Sequence, residues 1–187
     1  LYLQNNWESY IACRDSNSSQ SQVIKVGSKR DFYSHVIETR LFDNHGFASK
    51  NATAKLIEEL DNLKPDIIHL HNIHGYYLNI QLLFEYLKEQ RIPIYWTLYD
   101  CWAFTGHCSY FELAQCNKWL NECHSCPNKL EYPKSLLLDR SRKNYKTKKE
   151  LFNELQNLTL VVNSNWLKQA VKNSFLSNYP IEMIHNG

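Results

Sequence analysis

The sequence predicts an α/β fold built on an open parallel sheet with helices on both faces. Three observations carry that prediction. Short, nearly continuous apolar runs recur at residues 66–71 ("DIIHLH"), 92–98 ("IPIYWTL"), 158–163 ("LTLVVN") and 181–184 ("IEMI"), as expected of strands covered on both faces. Between them lie segments whose apolar residues repeat at three and four positions, so helices cross over and consecutive strands run parallel. The 187 residues are enough for one sizeable core.

Taken in order, residues 8–13 ("ESYIAC") read as a short strand, and the Ser-rich "RDSNSSQSQ" that follows as a loop. Residues 22–26 form a second short strand. Ser28 caps a helix running to about residue 42, with Phe32, Val36, Ile37 and Leu41 on its apolar face. Residues 50–63 form a clear helix on Leu56, Ile57, Leu60 and Leu63, ended by Pro65. The strand at 66–71 leads to a helix at 78–88, and the strand at 92–98 to a long irregular region ending near residue 135. A helix over 136–155 carries Leu138, Tyr145, Phe152 and Leu155 on one stripe. After the strand at 158–163, Ser164 caps a helix to about residue 173.

A doubly wound domain usually opens with a strand and a glycine-bearing turn. This chain opens on "LYLQNNW", which looks like the end of a helix, and contains no Gly-x-Gly. It does not begin with Met, and it stops at an Asn-Gly pair directly after a strand. Both ends therefore read as cut, leaving a single domain over residues 1–187 with a long Cys-containing loop at 99–135.

Bulk properties exclude several classes. No apolar run approaches a membrane span, and no charged-then-apolar start marks a signal peptide. A net charge of +2 makes no case by itself for nucleic acid or an anionic surface. Twelve Tyr and five Trp stack on sugars, stack on bases or fill the core. Four of the six cysteines fall between residues 108 and 126, whereas a secreted disulfide scaffold spreads its cysteines through the chain. A cytoplasmic protein with one local cysteine cluster is expected.

In an open parallel sheet, ligands collect beyond the carboxyl ends of the strands. Past the strand at 66–71 come His71, Asn72, His74, Gly75 and Tyr76. Past the strand at 92–98 come Tyr99, Asp100, Trp102, Thr105, Gly106 and His107, and past the strand at 158–163 come Asn163 and Ser164. Polar groups left unpaired inside the sheet would cost about 1–3 kcal/mol each; at the rim they are available to a ligand. Blander roles stand beside these. Ser164 fits a helix N-cap, His69 a core histidine, and Asp100 an anchor for the long loop. A triad of His71, Asp100 and Ser164 is disfavoured, because no Gly-x-Ser-x-Gly elbow exists.

Cys108, Cys116, Cys123 and Cys126 have the spacing C-x7-C-x6-C-x2-C. Three states fit it: a structural zinc on four thiolates, two disulfides, or four reduced thiols. Something must hold so long a loop in a compact domain. The run "RSRKNYKTKK", residues 140–149, puts six positive charges on a helix. It reads as a solvated face, or else as attraction to an anionic membrane surface or a phosphate-bearing acceptor.

Laid side by side, "KPDIIHLHNIHGYYLN", "WTLYDCWAFTGHCSYF", "CHSCP", "YPKS", "VVNSNWL" and "IHNG" resemble the N-terminal half of bacterial family-four glycosyltransferases of the GT-B type. The likeness points to the subgroup acting in capsular, exopolysaccharide or colanic-acid-like synthesis, and covers nearly the whole chain from about residue 8. It implies a Rossmann-like acceptor domain of a retaining hexosyltransferase-type enzyme. The nucleotide-sugar donor would be held by a C-terminal domain beyond Asn186 and Gly187, and the acceptor would be a glycan or lipid-linked. It also implies no catalytic metal, no nucleic acid, and a cytoplasmic place with peripheral contact at the inner face of the plasma membrane. Tyr99 and Asp100 would be catalytic; the family usually shows His where this chain has Tyr99, which puts proton transfer at that position in doubt. The fragment alone is expected to be inactive. A zinc-braced nucleic-acid-binding module and a catalytically silent subunit of a split transferase are the competing readings.

Overall fold

The computed structural model describes residues 7–15 and 21–185. Six strands and five α-helices alternate along it: β1 (Tyr10–Cys13), β2 (Gln22–Lys25), α1 (Lys29–Phe42), α2 (Lys50–Leu63), β3 (Ile68–His71), α3 (Ile80–Glu89), β4 (Ile94–Leu98), α4 (Ser141–Phe152), β5 (Leu158–Val162), α5 (Asn165–Lys172) and β6 (Ile181–Met183). β3, β4, β5 and β6 form a four-stranded parallel sheet in that order. Helices lie on both sides of it, so the fold is α/β and Rossmann-like, as expected. The expected single sheet is two: β1 and β2 pair with each other in a separate parallel ribbon. Most of the helix end expected at "LYLQNNW", part of the Ser-rich loop and the terminal Asn-Gly lie outside the described residues.

The core is the sheet interior. Ile94, Trp96, Leu98, Leu158, Leu160 and Val162 meet Phe84, Leu87, Phe152, Leu167 and Val171 from the helices. Trp96, Phe84 and Phe152 pack ring on ring with centroids 4.3–5.4 Å apart, adding specific aromatic contacts to area burial. Caps follow the sequence: Ser28 and Asp31 complete a capping box on α1, and the side chains of Asn79 and Ser164 cap α3 and α5.

Two expectations need correction. The helix expected over 136–155 begins only at Ser141. The N–H groups of Leu136 and Leu138 instead donate to the carbonyls of Arg40 (2.7 Å) and Leu41 (3.3 Å), which the last turn of α1 leaves without helical partners. Leu138 is thereby exposed, while Tyr145, Phe152 and Leu155 are buried. β3 is covered on one face only. Leu70 points inward, His69 and His71 point to solvent, so His69 is not a core histidine. Its Nε2 shares a 2.8 Å hydrogen bond with Thr97 Oγ1.

Candidate functional site

The register aligns His71 with Thr97, Leu98 with Val162 and Val162 with Met183. All four strands therefore end on one edge of the sheet. β3 and β4 deliver the chemistry there. Past β4, the Oδ1 of Asp100 accepts the N–H of Trp102 at 2.9 Å, turning the chain sharply and fixing the carboxylate. Its Oδ2 lies 3.2 Å from His74 Nε2, reached from the loop after β3, and both side chains remain partly exposed, at 15% and 13%. Asp100 is thus both a loop anchor and a group at the rim.

A carboxylate is acceptor-only, so His74 Nε2 carries a hydrogen toward it. The Tyr132 hydroxyl lies 3.4 Å from His74 Nδ1. The His74 ring lies against Trp102, centroids 4.9 Å apart. Beside this pair, His71 Nδ1 and the Tyr99 hydroxyl share a 3.0 Å hydrogen bond. Burial lowers the pKa of His71, which favours the neutral imidazole at neutral pH. His71, His74, Tyr99 and Asp100 are therefore brought together on one ledge.

Asn72 and Tyr76 both take positive φ, 39° and 60°, a conformation costly for side chains with a Cβ. The resulting turn, with Gly75 in it, swings Tyr76 back over His45, centroids 4.7 Å apart. His45 was not singled out by the sequence. It is buried at 2% exposure beneath His74, Tyr76, Trp102 and Tyr132. Neither of its ring nitrogens has a hydrogen-bond partner among the described residues, and burial pushes its pKa well below the ordinary value. The neighbouring Gly46 (φ 83°) leaves no room for a Cβ, which would stand 2.8 Å from the Trp102 ring.

Other expected rim residues turn inward. Trp102, Thr105 and His107 are 1–2% exposed. Thr105 Oγ1 donates to the Cys108 carbonyl at 2.5 Å. His107 Nδ1 meets Asp43 Oδ1 at 2.6 Å, both side chains almost fully buried. Gly106 is packed against Cys123 and Ser141. These residues build the long loop and do not line the ledge. Ser164 Oγ accepts the N–H of Leu167 at 3.2 Å, as an N-cap does.

The reading of residues 140–149 as a solvated face fails at Lys148. Its ammonium is buried, donates to the carbonyls of Trp102 (2.8 Å) and Thr105 (3.1 Å), and stands 3.4 Å from the Trp102 ring centroid. Burial lowers its pKa to about 7. Lys148 thus holds up the loop from below, where only tertiary contact reveals it.

A cavity of about 510 Å³ lies elsewhere and is lined by Ser34, Glu38, Lys50, Arg140, Asn144 and Thr147 among others. It contains none of His71, His74, Tyr99 and Asp100. The histidine–aspartate ledge is the better candidate, because it gathers accessible, mutually oriented groups at the sheet's carboxyl edge. A second, small cavity is lined by Cys108, Cys116, Cys123 and Cys126 together. All six cysteines are free.

No family model matches the chain, and no solved structure matches it. The chain is similar to a protein of Escherichia coli (strain K12) named as a colanic acid biosynthesis glycosyl transferase, WcaC, at 27% identity over 145 residues, or 75% of this chain. The match spans only 35% of that relative's length. The likeness is to a glycosyltransferase of which this chain spans about a third of the length.

Proposed function

We propose that this chain is the acceptor-side domain of a retaining GT-B glycosyltransferase of the hexosyltransferase type, serving polysaccharide synthesis in the cytoplasm. The observation that carries the reading is the His74–Asp100 pair, oriented and accessible at the carboxyl edge of the sheet, in a chain similar to a glycosyltransferase. An acceptor hydroxyl would donate to the Asp100 carboxylate. His74 and the Trp102 N–H hold that carboxylate in place before substrate arrives. The contribution is positioning and fixed electrostatics at the reacting centre.

Tyr99 stands beside this point with its hydroxyl tied to His71. Tyr99 orients the acceptor, and His71 restrains Tyr99. The nucleotide-sugar donor would be held by chain beyond Gly187, and the acceptor would be a glycan or lipid-linked. No catalytic metal and no nucleic acid enter this reading.

The test is to assay the full-length protein against a panel of nucleotide-sugars with glycan and lipid-linked acceptors, reading nucleotide release. Acceptor-dependent release from one donor is expected. Absence of release from every donor, together with nucleic-acid affinity that falls steeply with salt, would replace the reading with a nucleic-acid-binding module.

A further inference from the structure

The four clustered cysteines belong to a part of the molecule that the ledge does not use. They come from three separate turns of the 99–135 loop, yet they line one small cavity with Trp119 and Pro127. Cys108 and Cys126 are in direct thiol contact, and Cys116 and Cys123 lie close enough to act on them electrostatically. As the side chains stand, no three metal-ligating groups among the described residues share one metal position.

Burial raises the pKa of Cys123, and the contact with Cys108 raises that of Cys126; against this, two backbone N–H groups reach these sulfurs. The backbone N–H of Gly106 donates to the Cys123 sulfur, and that of Asn128 donates to the Cys126 sulfur two residues back. A Cβ at Gly106 would stand 2.8 Å from Cys123 Cβ and collide with the Ser141 carbonyl, so glycine is what brings this N–H to the sulfur. Outer contacts of this kind orient metal ligands.

The Cys-x-x-Cys turn is also held in shape. Ser125 adopts φ 43°, and Lys118 Nζ clamps the carbonyls of His124 and Ser125 at 3.0 Å each. Asp139 Oδ2 accepts the Cys126 N–H at 2.6 Å. This turn is braced from outside while its sulfurs face inward.

We propose that Cys108, Cys116, Cys123 and Cys126 bind one structural zinc ion, each side chain rotating on its present backbone to complete a four-sulfur set. Each thiol releases its proton to solvent as its sulfur lone pair coordinates the metal. Zn²⁺ and four thiolates carry a net charge of −2, which Lys148, acting on Cys108 and Cys123, partly offsets. Four protein ligands leave no open position, so the ion braces the loop that carries Asp100 and takes no part in chemistry.

The test is elemental analysis with thiol counting on the full-length protein purified under reducing conditions without chelator. About one zinc per chain is expected, lost in Cys123→Ser and in Cys116→Ser. Exchange with Co²⁺ should give thiolate charge-transfer bands in the near ultraviolet. Should either variant fail to fold, the metal content and thiol reactivity of the wild type still decide. Four reactive thiols with no metal, a mass lower by two disulfides, iron in place of zinc, or zinc retained in both variants would each overturn the proposal. None of these outcomes depends on transferase activity, so failure here leaves the proposed function standing.

Discussion

His74 and Asp100 approach to 3.2 Å from the ends of two neighbouring strands. The contact joins the loop after β3 to the loop after β4, and the Trp102 ring supports the imidazole from beneath. Replacing His74 by Ala leaves the Asp100 carboxylate held by the Trp102 N–H alone. The full-length His74→Ala protein should keep its fold and lose about 10–100-fold in kcat, the scale of a misplaced reacting group. Steady-state kinetics with circular dichroism as a control checks this.

Asp43 ties α1 to the long loop. Its carboxylate meets His107 Nδ1 at 2.6 Å and accepts the N–H of Arg140 at 2.7 Å, all but excluded from solvent. Removing one partner of such a buried pair strands the other. Asp43→Ala should cost about 3–5 kcal/mol of unfolding free energy, read from urea denaturation. A loss below about 1 kcal/mol would show that the pair is not structural in this sense.

His35 supplies an acid-sensitive lock. Gly46 donates its N–H to His35 Nε2 at 3.1 Å, so Nε2 is unprotonated, and the hydrogen on Nδ1 goes to Ser49 Oγ at 2.8 Å. Burial lowers the pKa to about 4 from 6.5. A depressed folded-state pKa means stability fully present above pH 6.5 and lost as pH falls toward 4. Unfolding midpoints measured from pH 7.5 to 4 should fall across that window, and His35→Gln should flatten the fall.

Lys148 has the same sign in a higher window. Its folded pKa of about 7 lies below the ordinary 10.5, so its contribution to stability rises with pH between those values. Lys148→Met removes that slope. The wild type should gain stability relative to the variant as pH is raised from 7 to 9, as measured by chemical denaturation.

The elements were legible where the pattern is local. The helix expected at 50–63 matches α2, and the strands at 66–71, 92–98 and 158–163 contain β3, β4 and β5 with small shifts at their ends. The Ser164 cap was equally visible, since capping depends on neighbours three residues away. The rim was legible as a place, because the carboxyl-edge rule needs only strand order and direction. Its inner construction was not. His45, Tyr132 and Lys148 meet Trp102 or His74 across 46 to 58 positions of sequence, and no spacing rule encodes such contacts. The turn-forming "DNHG" at residues 43–46 was the one available signal for His45. The long helix was overdrawn because a run of leucines at 136–138 mimics helical apolar content while its backbone is bonded to α1.

The most direct measurement is the kinetic effect of Asp100→Asn in the full-length protein on acceptor-dependent nucleotide release from its donor sugar. Asparagine keeps the size of the side chain and its bond to the Trp102 N–H but removes the charge that would receive the acceptor hydroxyl. A fall in kcat of about 100-fold, with thermal stability within a few degrees of the wild type, is the predicted result. Unchanged kcat and acceptor KM in a folded Asp100→Asn protein would contradict the placement of the acceptor on this ledge.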